Sequence, residues 1–287
     1  MNFSNIFLNS NRLITIVVTL ITLSFMNNVH ALDADSNPYK SRLGDWSATL
    51  ERFVDEHGRT DFISLAKDTE RLERFVDAIA KVSPASHPEL FPTKAHVLSY
   101  HINAYNALAM KGIIERDIPA NFSSLLKRAS FFKFRRVVVG GKKTNLYDYE
   151  NRVIRKLDEP RIHFVLNCMV VDCPRLPRKI FSPESLESDL QSAAVEFFNK
   201  AKHIKVSADQ MTVFLSGIMK FYTKDYVASG KKQDLVSYVN QYRSDAIPES
   251  YRVKFLDYDW TVNQSPQEHL SKESDRRFES KITTISG

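Results

Sequence analysis

Two cysteines, a histidine, an arginine and an aspartate fall within the thirteen residues from Arg161 to Cys173, the densest cluster of reactive side chains in the sequence. Thiol chemistry needs a thiolate, and a neighbouring imidazole lowers a thiol pKa enough to supply one near neutral pH. Cys168 as nucleophile and His163 as base, oriented by Asn167, Glu150 or Asp172, would make a generalised triad. The spacing objects to it. On a straight strand five residues put His163 and Cys168 on opposite faces, roughly 16 Å apart at about 3.3 Å per residue. The two meet only if the chain turns after Asn167; otherwise the base is His101.

The competing chemistry is a disulfide between Cys168 and Cys173. An even cysteine count in an exported chain favours pairing, and a segment ending in Cys173-Pro174 can fold back within the roughly 7 Å between Cα atoms that a bridge tolerates. Two inert buried thiols are a third alternative. A metal is a poorer fit, because two cysteines five apart and one histidine lack the close pair and fourth ligand of a structural zinc site. No cofactor motif is present in the sequence. Arg161 has the fork that binds a carboxylate, of a ligand or of Glu150. Asn103 and Asn106 sit mid-helix on one face with Ser99 and Met110. Asparagine competes there for backbone hydrogen bonds, so the pair has a job, either anchoring a loop in the core or lining a polar pocket against the cysteine strand.

These residues must be positioned by helices first and short strands later. Residues 40–82 read as helix on two apolar stripes, one through Trp46, Leu50 and Phe53 and one through Leu72, Phe75 and Ile79. A stop and restart at His57-Gly58 and Asp61 separates them. Thr93 caps a third helix through Ile113. Phe134–Val139, Gly140-Gly141 and Lys142–Leu146 read as a hairpin, with the glycine pair supplying positive φ. A short helix from Tyr147 and a strand over Arg161–Asn167 follow, and Ser182-Pro183 opens a helix to about Lys200. Strands at 203–206 and 211–215, helices at 216–227 and 233–242, and a strand at 252–256 complete the order. The expectation is an α+β domain, its helix-rich N-terminal part packed on a small, largely antiparallel sheet, with further helices C-terminal.

The run Arg161-Ile162-His163-Phe164 to Asn167-Cys168, with Cys173-Pro174, resembles the domain of unknown function numbered 547. The similarity takes in His57-Gly58 to Phe62, Ile102-Asn103-Ala104-Tyr105-Asn106-Ala107, the Gly140-Gly141 hairpin, Leu215-Ser216-Gly217-Ile218 with Tyr222 and Asp225-Tyr226, and Tyr258-Asp259-Trp260. His101 and Phe221 stand where that pattern usually has tryptophan, Asn151 where it often has histidine, and Arg175 where it often has a second proline. The resemblance implies no agreed activity, only a loose likeness to cysteine-hydrolase folds.

At the N-terminus, Arg12, the apolar and hydroxyl run Leu13 to Phe25, and Val29-His30-Ala31 read as a signal peptide cleaved after Ala31. That run is shorter than the roughly 20 residues a bilayer span requires. The expected organisation is a leader at 1–31 and one domain at 32–287, with a family-like core over 43–263 and a flexible tail at 264–287. Less Arg12, 39 basic residues face 34 acidic ones. The bases are dispersed apart from Lys133, Arg135, Arg136, Lys142 and Lys143, so nucleic acid is not the expected partner, nor is a membrane once the leader is removed. The expected partner is a small molecule or peptide, bound by a monomer in the periplasm or cell exterior. Two functions follow: a thiol-dependent hydrolase or acyl-transfer enzyme using Cys168, or a non-catalytic ligand- or protein-binding module stapled by Cys168 and Cys173.

Overall fold

A computed structural model describes residues 37–266; the expected leader and most of the expected tail lie outside the described residues. The chain divides into two compact units, Met1–Ser41 and Arg42–Gly287.

Helix α1 (Leu43–Phe53) buries Trp46, Leu50 and Phe53. The backbone turns at Gly58, whose φ is +79°, and Asp61 accepts from the Ser64 N–H to start the short α2 (Phe62–Leu65). Helix α3 (Glu70–Lys81) buries Leu72, Phe75 and Ile79, and its Phe75 ring stacks on Trp46 at 5.7 Å. The two apolar stripes thus face each other. Thr93 caps α4 (Lys94–Ile114), which is buried on nearly every side, including Ser99, His101, Asn103 and Asn106. A helix apolar all round belongs inside a core, and the polar residues that α4 carries there need partners.

After α5 (Leu125–Ala129) and a π turn over Ser130–Phe134, strands β1 (Val137–Val139) and β2 (Lys142–Thr144) form the expected hairpin, with Val139 opposite Lys142. Both turn glycines have positive φ. Gly140 donates its N–H to Ile79 O of α3 at 2.9 Å, and a Cβ on it would lie 2.0 Å from Ser83 Oγ, whereas one on Gly141 would meet nothing. Gly140→Ala is therefore expected to cost about 2 kcal/mol or more, and Gly141→Ala about 1 kcal/mol, the left-handed backbone penalty alone. Thermal denaturation of the two variants, if it showed equal melting temperatures, would contradict the close approach of the hairpin to α3.

Helix α6 (Leu146–Arg152) starts on an Asn145 cap. The segment expected to be a strand at Arg161–Asn167 is instead a 3-10 helix over Pro160–Phe164. The Glu159 side chain accepts from Arg161 N, Pro160 occupies the first helical position where its missing N–H costs nothing, and Val165 N and Leu166 N both return to Ile162 O. The apolar run mimicked a strand because Ile162, Phe164 and Val165 are all buried, and periodicity cannot separate a buried strand from a buried helical turn.

Helix α7 (Leu186–Asn199) begins after Ser182-Pro183 rather than at them. Strands β3 (Ile204–Ser207) and β4 (Thr212–Leu215) pair antiparallel. The expected helix at 216–227 is broken at Tyr222 into α8 (Gly217–Phe221) and α9 (Thr223–Tyr226). Helix α10 (Leu235–Asn240) follows, and β5 (Arg252–Phe255) joins β4 in parallel. The fold is α+β, with a two-stranded hairpin against the N-terminal helices and a separate three-stranded sheet among the C-terminal ones. That second sheet shares a core with Phe164, Phe197, Phe198 and Val239. Gln264 and Ser265, at the head of the expected tail, bond back to residues 60–62, through Gln264 Oε1 to Phe62 N and Ser265 N to Thr60 O.

Candidate functional site

The chain does turn after Asn167. Asn106 of α4 sets the approach, donating from Nδ2 to Val165 O at 3.0 Å and accepting at Oδ1 from Asn167 N at 2.8 Å. Asn167 sets the turn itself, accepting from Met169 N at 2.7 Å and donating to Pro174 O at 2.7 Å. Met169 adopts φ +65°, and Cys173 N closes on Val170 O at 3.1 Å. Cys168 and Cys173 are joined in a disulfide, with Cα atoms 6.3 Å apart. Outside the loop, Val171 N bonds to Thr261 O, Asp172 accepts from Asp259 N, and Lys202 Nζ donates to Val171 O and Cys173 O.

His163 and Cys168 line one cavity of about 50 Å³, together with Glu150, Tyr105, Tyr222 and Tyr258. Phe221, 48% exposed, and Trp260 complete its aromatic rim. Tyr258 Oη stands 3.7 Å from Cys168 Sγ and 3.5 Å from Cys173 Sγ. An open depression of about 500 Å³ along α9 and α10 is larger, yet none of the candidate residues borders it. Size and chemistry disagree here, and converging polar groups are the better guide to a site.

Glu150 is 7% exposed. Its two oxygens accept from Tyr105 Oη at 3.0 Å and Tyr222 Oη at 2.5 Å. Burial first, and then the charge on Glu150, push both tyrosines well above the ordinary phenol range, so they remain donors. Among the described residues no Lys, Arg or His lies within ion-pair distance of Glu150. A carboxylate offers about four acceptor positions, and the two tyrosines take two of them.

His163 gives Nε2 to Asp225 Oδ2 at 2.8 Å, and its ring stacks on Tyr222 at 3.8 Å. Arg155 holds Asp225 through two bonds of 2.6 Å. Burial alone would raise the Asp225 carboxyl; hydrogen bonds from His163 and Arg155 outweigh it and hold the group well below the usual carboxylate range. Asp225 is the orienter that the sequence did not disclose, because it lies 62 residues from His163 and on another helix.

The remaining candidates lie elsewhere. Asn167 orients the loop and does not touch His163 in any hydrogen bond. Arg161 pairs with Glu159 and Glu187, not with Glu150. His101 is buried against Tyr149 Oη at 2.7 Å, outside the cavity lining, and burial lowers its pKa to about 4. Asn103 bridges Phe181 O, Phe181 N and Trp46 Nε1. The two asparagines of α4 are thus anchors for loops in the core.

The family described as "Protein of unknown function, DUF547" matches residues 91–198. That span contains α4, the hairpin, Glu150, His163, both cysteines and all of α7 but its last residue. No curated protein and no solved structure matches the chain.

Proposed function

For a chain that carries a DUF547 segment, a description that attaches no activity, we propose a function from the site alone: an exported, non-catalytic binding module that captures the ammonium tip of a small molecule or peptide. The observation that carries this reading is Glu150, a buried carboxylate on the wall of an aromatic cavity, bonded to two tyrosine hydroxyls and, among the described residues, in ion-pair contact with no cation, Arg155 acting on it only at longer range. An unpaired buried charge is costly, and an ammonium supplies both the missing charge and donors for the unused acceptor positions. Aromatic walls favour the same ligand. The volume fits a terminal group, being far below the roughly 300 to 1,000 Å³ of a site that swallows a whole drug-sized ligand. The Cys168–Cys173 disulfide supports both parts of the proposal: it removes the thiolate a hydrolase would need, and such bridges persist in oxidising compartments.

The thiol-dependent hydrolase is the second reading, favoured by one observation. Cys168 shares the cavity with a His163–Asp225 pair, so a reduced form would hold nucleophile, base and orienter together. One experiment separates the two. Protein purified without reductant is titrated with n-butylammonium, n-butanol and butyrate while Trp260 fluorescence and iodoacetamide labelling are followed. The expected result is saturable quenching by butylammonium only, at least tenfold weaker binding in Glu150→Gln, and no labelling before reductant is added. Fast labelling of Cys168 in the unreduced protein would favour the hydrolase, and equal response to butylammonium and butanol would remove the ammonium assignment.

A further inference from the structure

Residues 118–147 contain seven basic side chains and no acidic one. Five of the seven, Lys127, Lys133, Arg136, Lys142 and Lys143, make no ion pair among the described residues. Arg135 is spent on Glu115, and Arg128 lies over the Trp260 ring and bonds to backbone carbonyls. The same segment carries the three most exposed large apolar side chains among the described residues: Leu126 at 81%, Leu125 at 77% and Phe134 at 70%. They stand at the two ends of one continuous helical stretch, α5 and its π turn, whose inner side is fixed by buried Phe131. Tyr147, 44% exposed, lies beneath the Lys133 ammonium at 4.4 Å.

We propose that this face, α5 with its π turn and the following β-hairpin, docks the protein on an anionic phospholipid bilayer. Unpaired bases attract a negative surface. Leucine and phenylalanine side chains left in water gain by entering the headgroup and acyl boundary, which soluble anions do not offer them. The combination distinguishes lipid from a polyanion, for which the bases alone suffice. Attachment is peripheral, since no helix among the described residues is long and apolar enough to cross a membrane. The proposal departs from the expectation of no membrane partner once the leader is removed; the cluster of Lys133, Arg136, Lys142 and Lys143 stands out in the sequence, and the fold adds that Leu125, Leu126 and Phe134 beside it are exposed. It is independent of the Glu150 cavity.

The test is co-sedimentation of the exported protein with phosphatidylcholine vesicles, with and without 30% phosphatidylglycerol (about 30%, enough to mimic an anionic leaflet), against the variants Leu125→Ser/Leu126→Ser/Phe134→Ser and Lys133→Glu/Arg136→Glu/Lys142→Glu. Any leader retained is common to all forms, so the comparison reads this face alone. All substituted positions are exposed, Lys133 giving up only its contact with the Tyr147 ring, and an unchanged melting temperature confirms folding. Binding to the anionic vesicles, weakened at least tenfold by each of the two triple variants, supports the proposal. No preference for anionic vesicles overturns it. Binding that survives the apolar triple variant, is lost in the charge variant, and is matched by soluble polyphosphate also overturns it, and assigns the face to an anionic polymer.

Discussion

Asn106→Leu is expected to destabilise the fold by about 3 kcal/mol and to make the Cys168–Cys173 bridge easier to reduce. The leucine fits the helix and the apolar surroundings, so its cost lies in what it leaves behind. Val165 O and Asn167 N both lose their bond to the Asn106 side chain, and each buried group left unsatisfied costs about 1 to 3 kcal/mol. The loss falls at the entrance to the Cys168–Cys173 loop, which is held in place by Asn167 on one side and by Lys202 on the other. Asn103→Leu should cost a similar amount, because it frees Phe181 and Trp46, but that region is remote from the disulfide. Urea denaturation of both variants, paired with the rate of reduction by dithiothreitol in the native state, separates the two. Equal reduction rates in wild type and Asn106→Leu would show that the asparagine does not hold the loop.

The helical half of the fold was legible because its signals are local. Gly58 and Asp61 break and restart a helix, Thr93 caps another, and Gly140-Gly141 can turn a hairpin wherever it occurs. What was not legible depended on partners distant in sequence. Arg161 to Asn167 has the composition of a strand, and only the cap on Glu159 and the asparagine from α4 make it a helical turn with no ladder to fill. The separate sheet and the parallel direction of β5 are likewise set by packing against Phe197, Phe198 and Val239.

The cysteine cluster marked the loop that the disulfide closes, and the requirement for a turn after Asn167 anticipated how His163 and Cys168 come to share a cavity. The sequence named Glu150 as an orienter of His163 or as the carboxylate held by Arg161. It could not show that two tyrosines, one on α4 and one between α8 and α9, converge on that carboxylate. Nor could it show that Asp225 takes the orienting role, since nothing local marks an aspartate in a short helix as the partner of a histidine in another. Arg161 illustrates the opposite error. Its neighbour Glu159, two residues away, claims it, and the proximity of Arg161 to the cluster in sequence says nothing of the cavity.

Acid should weaken this fold before its ordinary carboxylates titrate, and His203 should account for about half of the loss that His101 and His203 together cause. Neither ring nitrogen of His203 has a hydrogen-bond partner among the described residues, the ring stacks on Phe197 at 3.9 Å, and burial, helped by Lys202 and Lys200, lowers its pKa to about 3. Burial lowers that of His101 to about 4. In the unfolded chain both return to about 6.5. A histidine whose folded pKa is depressed gives stability that is complete above the unfolded value and is lost as pH falls from 6.5 toward the folded value, because only the unfolded chain takes up the proton. By pH 5 that amounts to about 2 kcal/mol for each histidine, a window in which ordinary carboxylates, with pKa values of about 4, remain largely ionised. His203→Phe keeps the stack on Phe197 and removes one of the two protons. Its stability at pH 7.5 should fall by up to about 1 to 3 kcal/mol for the slightly larger ring, while the loss between pH 7.5 and pH 5 should shrink by about half. Urea midpoints across that range measure the slope for each form against its own value at pH 7.5. An unaltered slope in His203→Phe would mean that His203 is already protonated in the folded state, with a partner for its charge.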